Sequence, residues 1–543
     1  MKKSCLLFGF LLACFIFMAA GCSNDDSNSS GGIPGSSGGA DTVNEELSKD
    51  KDMHKIFLLS DIHVMGPGIL QNKDNPKYKE YLKTDTKMLE QSTTVLEKLI
   101  DLAIAQKSGL VLIAGDLTKD GEYVSHEYVA KSLERLRQNG IRTLVIPGNH
   151  DINNPEGVIY KDGSQTEAAR RTTPQEFEAF YRNFGYNKDT KDYLNYSRDP
   201  VSLSYCCEPF AGLYLVCLDS NSYDQITESD TRNKTAGRLR DETVTWMMPL
   251  VDAAKKAGKQ VVVMMHHNLI EHFDNQNKLE SMFQVKDSKL RMENFFEHDI
   301  ELVLTGHVHS RDIATTYNGD KSADTTKKLT EITCASPISY PCAYNVLTLN
   351  EGLTEFKVKS DIIESITGIA DYQAQARQNH QVNAELIKWA LDEKWSTIVQ
   401  FIPFMAATGI NYDFSKGTAA IAQDIDECLG DVATRLERLF FNGCENKNTE
   451  ADIKKDSLPE DINTALDKLA AKLITDKEGD TEEVKTQHAN LRKSLIQLIK
   501  GYMDFDKVIN SVVNDITAYG ESDKQDQTDD IETTIKLKRV AAN

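Results

Sequence analysis

The chain has 543 residues, of which 62 are Lys or Arg and 83 are Asp or Glu, and its formal net charge is −21. This acidic excess argues against a nucleic acid polymer as a partner, because phosphate backbones are bound through basic surfaces. The length is sufficient for two domains of ordinary size, each with its own core.

The N-terminus has the pattern of an export signal. Two lysines precede an apolar run over residues 5–20, which is shorter than a comfortable membrane span. The run ends in Ala-Ala-Gly-Cys at 19–22, which resembles the cleavage box of bacterial lipoproteins. We therefore predict a signal peptide over residues 1–21, a lipid on Cys22 and an exported protein anchored to a membrane at its periplasmic or cell-surface face. The alternative is a simple secretory signal cut nearby.

The residues after the leader predict a tether and then an alternation of strands and helices. Residues 22–52, which begin rich in Ser, Gly, Asn and Asp, are predicted to be flexible. Apolar runs predict strands at 56–59, 110–114, 144–146, 261–265 and 302–304. Amphipathic spacing predicts helices at 89–105, 123–137, 243–257 and 290–296. Short strands follow at 312–316, 329–334 and 344–349. This order predicts parallel β-α-β pairing.

A polar fragment follows each of the first five predicted strands. The fragments are Asp61-Ile62-His63, Gly115-Asp116, Gly148-Asn149-His150-Asp151, His266-His267 and Gly306-His307-Val308-His309. In an open α/β sheet the C-terminal strand ends share one rim, so we expect these side chains to lie together. In the last fragment, spacing of two on an extended segment points both imidazoles to one side. So many carboxylate, amide and imidazole groups predict a two-metal site.

The C-terminal part of the chain changes to a helical pattern from about residue 361. Ile462, Leu466, Leu469 and Leu473 trace one apolar stripe, typical of a helix in a bundle. We predict a helical C-terminal domain over 361–543 packed on the first domain, with a frayed end from residue 522. The seven cysteines beyond Cys22 show no C-x-x-C spacing, and we expect packed, free thiols. The sequence makes no prediction about the oligomeric state.

The five fragments, in this order, resemble the signature of the calcineurin-like metallophosphoesterase superfamily: D-x-H, G-D, G-N-H-(D/E), H and G-H-x-H. The resemblance implies an α/β fold, a four-layer αββα metallophosphoesterase sandwich over residues 53–360, followed by the mainly helical domain. It also implies ligand assignments. One metal would take Asp61, His63 and His309, the other would take Asn149, His266 and His307, and Asp116 would bridge them. His267 remains an alternative to His266.

The implied chemistry is hydrolysis of a phosphate ester. Ligands without thiolate suit two divalent ions such as Mn, Fe or Zn, which activate a water between them for in-line attack on phosphorus. The resemblance implies that His150 does not bind metal but faces the phosphate, where it would stabilise the transition state or protonate the departing alkoxide. Asp151 is a candidate to orient that ring, and the alternative is a plain turn aspartate.

The predicted substrate is a small phosphodiester of the cyclic-nucleotide type. Aromatic segments at 177–205 and 340–344 resemble those of exported bacterial cyclic-nucleotide phosphodiesterase-like members. Lys119 and Arg311 are the basic residues adjacent to the motifs and are expected to point to solvent, which would leave little charge for a monoester dianion. Aromatic side chains of the loop at 152–200 are candidates to stack on a base. The alternatives are a phosphomonoesterase on the same metal centre and a non-catalytic surface module that binds phosphorylated ligands.

Overall fold

The computed structural model describes residues 42–83, 85–226, 234–272, 276, 282–319, 326–379, 388, 414–441, 458–502 and 532–540. The predicted signal peptide, the predicted lipidation site Cys22, most of the predicted tether and Cys444 lie outside the described residues. None of the helices in the described ranges is long and apolar enough to cross a bilayer.

Strands and helices alternate through the first part of the described chain. Its fifteen strands, β1 to β15 in order, are Asp52–Leu59, Ser108–Ala114, Arg142–Ile146, Val158–Tyr160, Thr166–Ala168, Leu194–Arg198, Tyr205–Phe210, Leu213–Cys217, Gln260–Met264, Leu302–Thr305, Asp312–Asn318, Lys327–Thr333, Ala343–Leu349, Glu355–Ile362 and Glu532–Lys536. Its eleven helices, α1 to α11 in order, are Glu45–Ser48, Pro76–Leu82, Ser92–Ala105, Tyr123–Gln138, Pro174–Phe180, Asp241–Lys256, Ser288–Glu297, Tyr372–Asn379, Gly417–Phe441, Leu458–Leu473 and Glu482–Tyr502. All the strands and helices predicted in the first domain are confirmed, with small shifts at their ends.

The strands form two large sheets rather than one. The first has the order β15-β14-β13-β1-β2-β3, with β1, β2 and β3 parallel. The second has the order β11-β12-β10-β9-β8-β7-β6, with β8, β9, β10 and β12 parallel. The expectation that all five motifs lie on the rim of one sheet is therefore wrong. Three motifs follow strands of the first sheet, and two follow strands of the second. The sequence analysis did not predict β6 to β8, which lie beside β9 in the second sheet, so that β9 is not a neighbour of β3.

The alternation of side chains along β9 shows how the layers stack. Val262 and Met264 belong to the core cluster that also contains residues of β1, β2 and β3. Val261 and Val263 belong to a second cluster with residues of α6 and α7. Since α3 contacts β2 and α4 contacts β3, helices cover the outer faces of both sheets. The four-layer αββα sandwich is confirmed.

Both predicted ends of the catalytic domain need correction. Val43 is buried and its N–H donates to the Asp192 carboxylate at 2.8 Å, so the tether does not extend to residue 52. At the other end, β15 pairs antiparallel with β14, with Ile535 opposite Phe356. The frayed end predicted from residue 522 is therefore wrong for residues 532–536. This segment is short, and it is stabilised by pairing with the edge of the first sheet, by burial of Ile535 and by the ion pair of Glu532 with Lys357.

The predicted helical region is present in the C-terminal part. All four residues of the predicted apolar stripe on α10 are buried. Helix α10 packs against α9, and Lys472 bridges Asp424 at 3.0 Å and Glu427 at 2.8 Å. The six cysteines among the described residues are buried free thiols.

Candidate metal centre

Hydrogen bonds between the motif loops join the two sheets. The His63 N–H donates to the Asp116 carbonyl at 2.9 Å, which ties the loop after β1 to the loop after β2. Across the sheets, the His307 N–H donates to Asp61 Oδ2 at 2.8 Å, and His266 Nδ1 donates to the Ala114 carbonyl at 2.7 Å. These bonds bring the C-terminal ends of β1, β2, β9 and β10 together. The candidate site therefore lies at the seam of the sandwich.

Five of the predicted ligands have left-handed backbone conformations. The values of φ are 55° at Asp61, 44° at His63, 50° at Asp116, 72° at His307 and 62° at His309. Residues other than glycine rarely adopt this region, and each costs about 1–3 kcal/mol unless the surroundings impose it. Such residues concentrate at functional sites, and here they turn the chain sharply after β1, β2 and β10. The extended geometry expected for the last motif is wrong, and its two histidines diverge.

The first ligand group consists of Asp61, His63, Asp116 and His309, whose candidate ligand atoms all lie within 4.8 Å of one another. His63 Nε2 lies 3.0 Å from His309 Nε2 and 3.6 Å from Asp116 Oδ2. His309 Nε2 lies 3.0 Å from Asp61 Oδ1. Two imidazole nitrogens and two carboxylate oxygens thus converge on one point.

The second ligand group consists of Asp116, His266 and His307, within the same 4.8 Å limit. His266 Nε2 lies 3.4 Å from Asp116 Oδ2 and 3.2 Å from Asn149 Oδ1, so the predicted amide ligand faces this group as well. His267 points elsewhere, with Nδ1 2.8 Å from Ser220 Oγ and Nε2 3.0 Å from the Thr235 carbonyl. The two groups share Asp116, through the same Oδ2 atom.

The chemistry of these residues fits divalent cations. In the described structure His307 Nε2 is buried without a hydrogen-bond partner, which is costly unless an ion or another group binds it. Burial lowers the pKa of His63 and of His307 well below the usual value, so both rings are neutral and able to ligate. Burial also works to lower the pKa of His266, but the Asp116 carboxylate outweighs it and raises that pKa to about 9. A cation bound there would take the place of that proton.

Two motif glycines allow these groups to approach one another. A Cβ at Gly306 would overlap Ser60 Oγ and lie 2.6 Å from Asp61 Oδ2. A Cβ at Gly148 would overlap the backbone nitrogen of Asp116 and its Oδ1. Any side chain at either position would displace a predicted ligand. The glycines of these motifs are therefore required by the close approach of neighbouring loops.

His150 lies beside the first ligand group, with its ring 4.8 Å from that of His63. Its Nδ1 lies 2.7 Å from the Lys119 carbonyl and 3.0 Å from Asp120 Oδ1. A carbonyl oxygen only accepts, so the proton is on Nδ1. Burial, together with the charges of Lys234 and Lys87, lowers the pKa of His150 well below its usual value.

Asp151 does not orient the His150 ring, so that prediction is wrong. Its carboxylate accepts hydrogen bonds from the backbone N–H groups of Leu117, Thr118 and Gly148 at 2.8–3.1 Å and from the Thr118 hydroxyl. Burial and the nearby Asp116 carboxylate raise the pKa of Asp151 to about 7. Its function is to tie two motif loops together. Its backbone directs the side chain away from its neighbour, which the sequence alone does not show.

The residue that orients His150 is Asp120, which the sequence analysis missed. Asp120 is buried and also pairs with the buried Lys119, and its Oδ1 lies 4.0 Å from the buried Lys234. In the sequence Asp120 belongs to a Lys-Asp-Gly run shortly after the Gly115-Asp116 motif. Such runs are common in loops, so this one did not indicate a functional role. Only the folded structure brings this turn against the Gly-Asn-His loop.

Residues 54–311 match the sequence profile of the family described as calcineurin-like phosphoesterase. No curated protein matches the chain. Among solved structures, the chain is similar to a dimetal phosphatase from Danio rerio, at 11% identity and a TM-score of 0.36, over 56% of this chain and 95% of that one. It is also similar to a purple acid phosphatase from yellow lupin (Lupinus luteus), at 11% identity and a TM-score of 0.35, over 57% of this chain and 52% of that one.

Proposed function

Residues 54–311 belong to the calcineurin-like phosphoesterase family, and on this premise we propose that the protein is a dimetal phosphodiesterase acting on small diesters of the cyclic-nucleotide type. The observation that carries the proposal is the single Asp116 carboxylate shared by two groups of buried ligands. A shared carboxylate holds two cations about 3.5–4 Å apart, which is the separation used for hydrolysis of phosphate esters.

The residues of this chain would bind, orient and move protons around that pair of ions. Asp61, His63 and His309 would hold one ion, Asn149, His266 and His307 would hold the other, and Asp116 would hold both. Two divalent ions, Mn, Fe or Zn, would neutralise charge on the phosphate and lower the pKa of a bound water.

His150 would act at the leaving-group oxygen. The Lys119 carbonyl and Asp120 fix the proton on Nδ1, which leaves Nε2 to interact with the substrate. Burial and the charges of Lys234 and Lys87 hold the pKa of His150 low, so Nε2 would donate to the leaving oxygen only after the ring gains a second proton, which the negative charge of a bound ester would favour. The buried position of the ring, which is 7% exposed, limits competition from solvent water.

Charge matching around His150 favours a diester over a monoester. Lys87 pairs with Asp85 at 3.0 Å, Lys119 with Asp120, and Lys234 with Glu156 at 2.5 Å. Because a carboxylate already matches each of these buried charges, they add little attraction for the second charge of a monoester dianion. The expectation that Lys119 and Arg311 point to solvent is wrong, since both are buried. For Lys119, the pairing with Asp120 has the same consequence for the substrate.

Four aromatic residues of the loop at 152–200 are part of the core and do not form a base-stacking surface. Phe177, Tyr181, Phe184 and Tyr186 are buried, and the Tyr181 hydroxyl lies 2.7 Å from His126 Nδ1. These side chains are part of the core, so the stacking expectation is wrong for them. The proposed substrate class therefore depends on charge and on the sequence resemblance.

A substrate panel tests the diester proposal directly. With Mn²⁺ supplied, we expect kcat/KM to be higher for bis(p-nitrophenyl) phosphate than for p-nitrophenyl phosphate, and higher for a cyclic nucleotide than for the matching nucleoside monophosphate. The control is the same panel after removal of metal with a chelator, where turnover should disappear. Faster cleavage of the monoesters would support the phosphomonoesterase alternative. Metal loading without any turnover would support the non-catalytic binding module.

We further propose that the enzyme is exported and anchored to a membrane through a lipid on Cys22. The support is the pattern of two lysines, an apolar run and an Ala-Ala-Gly-Cys box at residues 19–22. Cys22→Ser is expected to abolish incorporation of labelled fatty acid and to release the protein from the membrane fraction, with phosphoesterase activity unchanged. Cys428→Ser, at a buried thiol, is the matched control and should keep the lipid. Lipid on the Cys22→Ser protein would contradict the proposal.

A further inference from the structure

A buried glutamate lies on the helix-covered face of the second sheet. Glu331 is in β12 and has none of its surface exposed. Two residues earlier on the same face, Leu329 packs in the apolar cluster that includes residues of α6 and α7. Burying a carboxylate in such a layer costs free energy unless its oxygens are hydrogen-bonded. The groups that donate to Glu331 therefore indicate why it is there.

Four donors bind this carboxylate. Oε1 accepts hydrogen bonds from Asn268 Nδ2 and from the Thr305 hydroxyl, both at 2.7 Å. Oε2 accepts hydrogen bonds from the backbone N–H of Leu269 at 2.9 Å and from that of Ile270 at 2.7 Å. Both oxygens are thus used, and the donors come from the ends of two chain segments that follow or form β9 and β10.

The donors flank two ligands of the second group. Asn268 follows His266 by two residues, and Thr305, the last residue of β10, precedes His307 by two residues. The Asn268 amide also donates to the Thr305 hydroxyl oxygen at 3.0 Å. One carboxylate therefore holds the chain just after one ligand and just before the other.

His272 supplies the charge opposite to Glu331. Its Nε2 lies 3.3 Å from Glu331 Oε1, and its Nδ1 contacts the carboxylate of Asp312, the first residue of β11. Burial works to lower the pKa of His272, but the two carboxylates outweigh it and raise that pKa to about 10. The ring is therefore protonated at neutral pH, and it ties the loop after β9 to the strand that follows the last motif.

We propose that Glu331 is a positioning residue for the second metal ion and sets the separation between His266 and His307. It acts through the chain beside these ligands rather than by binding the ion. Without its two acceptor oxygens, the four donors would lose their shared partner and the loop after β9 would shift. Groups that support metal ligands change metal affinity by about 10–100-fold when they are replaced. The inference rests on the dimetal centre of the proposed function and not on the substrate.

Titration of the metal-free full chain with Mn²⁺ tests this inference without any turnover. We expect Glu331→Gln to raise the Kd of one of the two ions about tenfold and to leave the Kd of the other unchanged. Glutamine has nearly the same shape, but it removes the charge that faces His272 and replaces one acceptor oxygen by an NH₂ group, which cannot accept from the donors on that side.

Glu301→Gln is the matched control. Glu301 is also buried, and its carboxylate also accepts a backbone N–H from a distant segment, that of Lys538 at 2.8 Å. It directly precedes β10, at the end of the strand opposite to the motif. Both Kd values should therefore be the same as in the wild type.

A second comparison identifies the affected ion. His307→Ala removes a ligand of the second group and is expected to leave one Mn²⁺ bound by the first group. Addition of Glu331→Gln to that variant should not weaken binding of the remaining ion, because both changes act on the same site. Electron paramagnetic resonance gives an independent readout. At a Mn²⁺ concentration that produces the signal of a coupled pair in the wild type, Glu331→Gln should show the signal of single ions.

Two results would overturn the inference: unchanged affinity for both ions in Glu331→Gln, or equal weakening of both, which would indicate a general loosening of the fold. If Glu331→Gln does not fold, Thr305→Val decides, because it keeps the shape of the side chain and removes only the hydroxyl that donates to Oε1. It should weaken the same ion, and unchanged binding would overturn the inference. Fewer than two Mn²⁺ ions on the wild type would contradict the dimetal centre itself, whereas two ions with unaffected variants would contradict only the role of Glu331.

Discussion

Replacement of Asp116 by asparagine is expected to remove both metal ions and to lower kcat/KM by more than about 10³-fold. Oδ2 of this carboxylate lies 3.6 Å from His63 Nε2 and 3.4 Å from His266 Nε2, so both ligand groups lose their shared anion. In the wild type the backbone N–H of His150 donates to Asp116 Oδ1 at 2.8 Å. Asparagine has the same shape and keeps an oxygen that can accept this hydrogen bond. The fold should therefore survive, and metal analysis with circular dichroism would check both points.

Asp192→Asn is the matched control for this experiment. Asp192 is also buried, and its carboxylate also accepts a backbone N–H, from Val43, but it lies outside both ligand groups. It should keep its metals and its activity. If Asp116→Asn retained two metals per chain and full activity, the assignment of Asp116 as the bridging ligand would be wrong.

Replacement of His150 by alanine is expected to leave the metal content unchanged and to lower kcat by about 10²–10⁴-fold, the usual contribution of a positioned acid or base. The His150 ring contacts the edge of the first ligand group, but its Nδ1 makes polar contacts with the turn that contains Lys119 and Asp120. Activity at saturating diester and metal content per chain are the two measurements.

His298→Ala is a suitable control. His298 lies at the end of α7 and pairs with Asp252 of α6, and neither residue belongs to a motif loop. Its kcat should match that of the wild type. Loss of metal in His150→Ala would instead identify His150 as a ligand. A full rate with full metal content would exclude it from the reaction.

The sequence by itself determined the strands that precede the motifs, the helices between them and the chemical types at the site. Runs such as Leu110–Ala114 are long enough and apolar enough to predict buried strands from local pattern alone. The residues that follow them are Asp, Asn and His in a fixed order, and this order resembles one superfamily closely enough to predict the four-layer fold. Local pattern is sufficient here because both the strand and its ligand lie within a few residues of chain.

The tertiary structure alone decided which side chains meet. Asp151 is adjacent to His150 in the chain, yet Asp120 reaches the ring, because backbone N–H groups of Leu117, Thr118 and Gly148 hold the Asp151 carboxylate elsewhere. The division of the motifs between two sheets depends on β6 to β8, and the pairing of β15 depends on a sheet edge far away in sequence. Contacts of this kind depend on how sheets and helices pack over long sequence separations, and no local pattern records them.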